Sequence, residues 1–188
     1  MPAEAHITAI WSKQKLFVSI FLIGIGCWFL SDAVVGYPHS NERWLAHREL
    51  EESGRQSEWP ALARSRGWTA KVPEKRYGVG DIRMQWVCCG FAASLGLITL
   101  AYWFTQKNRV LRTDEGAVYS PAGTRIPFDA ITGLGKKHWD AKGLATVLYE
   151  IDGRKGRFIL DDYKFDRDPT HQIVAKIEKH LLERITKA

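Results

Sequence analysis

Cysteine is scarce in this 188-residue chain, and its three cysteines, Cys27, Cys88 and Cys89, all fall inside apolar runs. No disulfide framework is visible. Adjacent Cys88 and Cys89 point in different directions on a helix, and no histidine stands near them in sequence to complete a metal set. They read as small, polarisable packing residues. Catalytic signatures are missing as well: there is no G-x-S-x-G, no H-E-x-x-H and no Walker loop. Gly133-Leu134-Gly135-Lys136-Lys137 lacks both the upstream glycine spacing of a phosphate loop and the Ser or Thr after its lysine. Asp161, Asp162, Asp166 and Asp168 miss the spacing of a calcium loop, and Asp168 is explained as a helix N-cap. No catalytic residue, metal or cofactor is expected.

Charge is absent from two long stretches, and this is the most informative absence. Leu16–Leu30 carries no charge, and after Asp32 the apolar character resumes through Gly36. Met84–Gln106, bounded by Arg83 and Lys107, is uncharged over 23 residues. A helix of that length covers roughly 35 Å, enough to cross a hydrocarbon core of about 30 Å. Trp11, Trp28, Trp86, Tyr102 and Trp103 lie near the ends of these stretches, where amphipathic rings favour the headgroup layer. A soluble domain of this size has too little apolar chain left to bury such a helix on every side. The expected organisation is an N-terminal cytoplasmic segment (1–15), a first transmembrane helix (16–36), an extracytoplasmic Trp-rich helical loop (37–83), a second transmembrane helix (84–106) and a C-terminal β domain (107–188).

The first stretch also has the outline of a signal peptide, with Lys13 and Lys15 before an apolar core and Ser31 and Ala33 at a cleavage position. Asp32 inside that position and the apolar residues beyond it favour an uncleaved anchor. Either way, residues 37–83 end up across the membrane and the C-terminus returns to the cytoplasm. Lys71, Lys75, Arg76 and Arg83 approach the second span from the loop, so the charge bias leaves the opposite orientation open. In the second span, Gly90 with Ser94 and Ala92 with Gly96 are small residues four apart, a spacing that lets helices approach closely.

In the loop, Ser40 and Asn41 are placed to cap a helix that ends near Gly54, and Pro60 to open a second that Gly67 stops. Trp44, Trp59 and Trp68 form an apolar set that serves packing or docking. His39 and His47, eight residues apart among glutamates, lack the i, i+4 spacing of helical metal ligands and read as part of a solvated face.

From Arg109 onward the hydrophobic period shortens to alternating runs broken by Glu115-Gly116, Pro121-Ala122-Gly123 and Asp152-Gly153. This predicts an antiparallel sheet of about five to seven short strands. A C-terminal helix follows, with Pro169 in its first turn and Ile173, Val174, Ile177, Leu181 and Ile185 along one face. The order RTDEGAVYS, RIPFDAITGL, KKHW and LYEIDGRKGRFIL with this closing helix resembles the small bacterial pleckstrin-homology-like (PH-like) domains found beside transmembrane spans, over about residues 109–186. The resemblance implies a partly open β-barrel closed by the C-terminal helix, with Trp139 on a strand, used for binding and scaffolding on the cytoplasmic face rather than for catalysis. The fold class is therefore that of an α+β membrane protein.

Six cations, Lys136, Lys137, Lys142, Arg154, Lys155 and Arg157, fall on or beside neighbouring hairpins and are the candidates for contact with an anionic lipid or a protein partner. Residues 107–188 carry 16 Lys or Arg against 12 Asp or Glu, too mild an excess to demand a ligand by itself. Nucleic acid is not an expected partner, since neither a recognition helix nor an aromatic stacking face is evident. The expected function is a non-enzymatic membrane-anchored adaptor in a bacterial inner membrane, both termini cytoplasmic, that meets membrane lipid and another membrane protein or a second copy of itself. The alternative is an accessory subunit of a larger membrane complex, docked through the Trp-rich loop.

Overall fold

The structure is a computed structural model and describes residues 2–187, of Lys187 the backbone only. It is an α+β protein with two long apolar helices and two small antiparallel sheets. The chain divides into two compact units, residues 18–99 and residues 1–17 with 100–188.

Strand β1 (Ala3–His6) leads into α1 (Ala9–Ser31), which passes through a π-helical turn at Asp32–Gly36 into α2 (Tyr37–Glu52). Together these make one helix of 44 residues, Ala9–Glu52. The expected break before Ser40 is not there. Pro38 has no amide hydrogen to give, and it follows directly on a wider turn where the hydrogen-bond register shifts, so the helix passes it uninterrupted. Asn41 caps nothing and instead reaches across to the Tyr77 backbone, donating to its carbonyl at 2.9 Å and accepting from its amide at 2.7 Å.

After α2 come α3 (Trp59–Ser65) and α4 (Val79–Gln106). The expected stops near Gly54 and Gly67 stand, both glycines lying in the left-handed region at φ 72° and 69°. Trp59 is buried, donates its indole N–H to the Ala70 carbonyl and meets the His47 ring edge-on at 5.1 Å. Arg43 clamps the same segment by donating to the carbonyls of Thr69 and Lys71.

Within residues 18–99, α1 and α4 pack through small residues. A Cβ on Gly26 would lie 3.2 Å from the Ala93 Cβ, and one on Gly96 only 2.7 Å from the Ile23 Cγ1. Ala92 and Ser19 are buried in this seam. Of the four small residues singled out in α4, Ala92 and Gly96 face α1, whereas Gly90 has open space beside it and Ser94 is exposed. Both long helices are long and apolar enough to cross a membrane, and only 17% and 11% of their most apolar stretches are buried. A core helix of a soluble protein would be covered.

The β domain comprises β2 (Val110–Thr113), β3 (Ala117–Tyr119), β4 (Arg125–Pro127), β5 (Ile131–His138), β6 (Leu144–Ile151) and β7 (Arg154–Asp161), followed by α6 (Arg167–Lys187). A one-turn helix, α5 (Trp139–Lys142), stands where the resemblance implied a strand carrying Trp139. The strands form two sheets, ordered β1-β2-β3-β4 and β5-β6-β7, and no barrel closes. The Asp152-Gly153 hairpin turn is present with both residues at positive φ.

The N-terminal segment, expected to stand apart, is part of this domain: β1 pairs with β2 from Ala3↔Thr113 to His6↔Val110. Ala5 is fully buried and joins Leu111, Val118, Ile126, Val147 and Leu160 in the core that α6 covers with Ile173, Val174 and Ile177. Leu181 packs partly against that core, but Ile185, expected on the same face, is 74% exposed, because α6 outruns the sheets. The helix also begins at Arg167, so Asp168 is a first-turn acid near the positive end of the dipole rather than the cap.

Candidate functional site

The three-stranded sheet turns one face to the core and the other to solvent. Along β6, Ala145 and Val147 are buried while Leu148 is 44% exposed; along β7, Leu160 is buried while Ile159 is 54% exposed. Period-two alternation dictates this division. The register sets Leu148 opposite Arg157, Thr146 opposite Ile159 and Glu150 opposite Lys155. Tyr149 lies across from Gly156 on the inner side, and a Cβ on Gly156 would be 2.3 Å from the tyrosine ring. This cross-strand cover over a bare backbone fixes the pairing of β6 with β7.

The six candidate cations do not form one patch. Lys136 and Lys137 lie in the irregular end of β5 beside the start of β6, with Lys142 at the end of α5, whereas Arg154, Lys155 and Arg157 lie at the β6–β7 turn. About six strand residues separate the groups, roughly 20 Å. Lys136 is also engaged, its Nζ 2.8 Å from Glu178 of α6. Among the described residues no carboxylate pairs with Arg154, Lys155 or Arg157, all of them exposed.

The edges of the sheets differ in access. β1 and β4 are short, and β4 ends in Pro127. At the start of β5, Arg184 of α6 donates to the carbonyls of Ile131 and of Asp129 in the turn just before it, both at 3.1 Å. β7 pairs with β6 alone, so no strand covers its second side, where the Asp161 carbonyl accepts from the Phe165 amide at 2.9 Å.

Two further clusters carry charge in the same domain. Asp162 follows β7, and its side chain, nearly buried, accepts from His171 at 2.9 Å and from Arg167 at 3.3 Å. Burial alone would push its carboxyl up, but the hydrogen bonds and charges of His171 and Arg167 hold it below the usual carboxylate range. Trp139 leans on the His171 ring at 4.8 Å, and a cavity of about 570 Å³ opens between α5, Asp162 and the start of α6. Gly143, at φ 65°, lets Asp162 approach; a Cβ there would overlap the carboxylate.

The second cluster surrounds Lys164, half-buried among Trp11, Tyr102 and Phe165. Lys107, the charge that bounds the second apolar stretch, lies over the rings of Trp103 and Phe104 at 4.9 and 4.7 Å. Neither the Asp162–His171 pair nor the Lys164 cage has a sequence signature, since the partners stand apart in the chain. Of the loop tryptophans, Trp59 is consumed in packing, and Trp44 and Trp68 remain half-buried. The histidines beside them serve as rings: His39 meets Trp68 edge-on at 6.1 Å. Set against known proteins, the chain matches no family model, no curated protein and no solved structure.

Proposed function

We propose that this chain is a non-enzymatic, membrane-anchored adaptor whose PH-like domain docks a protein partner on the cytoplasmic side of a bacterial inner membrane. The observation that carries the reading is the joining of two unlike surfaces in one chain. The helices α1 and α4 leave Phe21, Trp28, Phe91 and Ile98 exposed along apolar stretches, a surface that suits lipid and not water. The domain, in contrast, has seven antiparallel strands in two sheets closed over a core by α6, with basic residues on its wet face. Strand β1 supports the uncleaved anchor, because removal of the chain up to Ser31 or Ala33 would strip Ala3 and Ala5 from that core.

The test is purification of the full chain in mild detergent from its native membrane. Recovery of one membrane protein in fixed stoichiometry supports the adaptor. A chain that extracts with water and alkali, or that is recovered alone, overturns it. The accessory-subunit reading draws on the half-buried Trp44 and Trp68, and it requires that their replacement by alanine release the chain from its complex.

A further inference from the structure

We propose that the free edge of β7 takes up an acidic, extended segment of a partner protein as an additional strand of the β5-β6-β7 sheet. This deepens the adaptor reading and rests on it. The strand Arg154–Asp161 has a strand partner on one side only, and because the Asp161 carbonyl accepts from the Phe165 amide at 2.9 Å, the open stretch is Arg154–Leu160, about 23 Å. The other edges are short, or end in proline, or, for β5, are broken by two irregularities and engaged by Arg184 at Ile131. Strand addition draws affinity from main-chain hydrogen bonds and specificity from alternate side chains.

Those alternate side chains specify the occupant. Lys155 and Arg157 share the outer face with Ile159, and Arg154 stands beside the turn on the opposite face; none has a carboxylate partner among the described residues, so an incoming strand meets uncompensated positive charge. Beyond them, Ile159 is 54% exposed and Leu148 of the neighbouring strand 44%, two apolar side chains on the same face. Glu150 opposite Lys155 forms no ion pair and leaves the balance basic. Lysine and arginine on an edge guard it against strands of neutral or basic composition. They select for an acidic one, with Glu or Asp at the alternate positions facing Lys155 and Arg157 and an aliphatic residue near Ile159.

The experiment uses the full chain in detergent and a fluorescent peptide of alternating glutamate and valine. Binding is expected to weaken at least tenfold in the triple variant R154E/K155E/R157E, and to be regained there by a lysine–valine peptide. N-methylation of alternate peptide amides is expected to abolish binding to the unaltered chain, a readout that needs no folded variant. No binding, or binding indifferent to N-methylation, overturns the proposal. So does displacement of the peptide by anionic vesicles, which assigns the cations to lipid headgroups. If a stoichiometric membrane partner is recovered with the triple variant as well as with the unaltered chain, the adaptor reading stands and the β7 edge is not its docking site.

Discussion

The Lys164 ammonium lies 5.1 Å from the centroid of the Trp11 ring and donates to the Gln106 side-chain carbonyl at 2.8 Å. One cation thus ties the segment after β7 to residues of α1 and α4 that belong to the same unit. Burial pushes its pKa down, the charges of Arg109 and Lys15 add to that, and Asp161 opposes it. Between its lowered value and the ordinary 10.5 the folded chain binds fewer protons than the unfolded one. Stability therefore rises with pH across that window and is flat below it. Lys164→Met is expected to remove this alkaline rise in thermal unfolding of the detergent-solubilised protein. Trp11→Ala, which truncates a buried ring, is expected to cost about 3–5 kcal/mol.

The Asp162 carboxylate titrates in the opposite sense. Its folded pKa lies below the unfolded one, so its contribution is present above about pH 4 and lost as pH falls through the lowered folded value. Asp162→Ala is expected to destabilise the domain by about 1.5–3 kcal/mol at neutral pH, the scale of a hydrogen bond to a charged group. Unfolding curves of variant and unaltered chain should converge as the pH falls past the lowered folded value. A constant gap would assign the effect to packing.

Gly96 and Gly90 occupy one helix and differ in surroundings. Gly96→Leu forces a side chain into Ile23 and the Ser19 carbonyl, so α1 and α4 must separate. Gly90→Leu enters open space. The first is expected to abolish a disulfide cross-link engineered between Gly26→Cys and Ala93→Cys in a background lacking the native cysteines, and the second to leave it intact.

Much of this architecture was legible because it repeats a local pattern. The uncharged run Met84–Gln106 named a long apolar helix, and Asp152-Gly153 named the hairpin that orders β6 and β7. What escaped depends on contacts distant in sequence. Ala3–His6 alternates small and polar residues over only four positions, too few to distinguish a strand, and its partner stands at Val110–Thr113. Ser40 and Asn41 read as caps in the sequence, whereas the π-helical turn at Asp32–Gly36 carries the first helix through them, a continuity with no local sequence signal. Trp139, read as a strand residue, starts a helical turn because Gly143 supplies the left-handed stop that lets the chain reverse into β6. The six cations read as lying on or beside neighbouring hairpins, but linear spacing conceals which end of a strand each occupies, and they fall into two groups.

Mature protein isolated from membranes is expected to retain Ala3–His6, which intact-mass measurement decides. Ala5→Asp places an unpaired charge at a fully buried position and should cost more than about 3 kcal/mol, seen as rapid proteolysis between β2 and α6.

The pairing of Ala3 with Thr113 also imposes an order on biosynthesis. The two residues are 110 positions apart, so β1 leaves the ribosome first and waits while both long helices are made, about 5–20 s at ordinary elongation rates. On the membrane-anchored reading proposed above, the four-stranded sheet is completed only when its first and last contributors are in the same compartment. A nascent chain whose first helix entered a bilayer in the wrong sense would leave β1 on the far side and expose Leu111 and Val118 to proteolytic quality control. The N-terminal strand would then act as a check on insertion, rewarding correct threading with a closed core and marking the failures for removal.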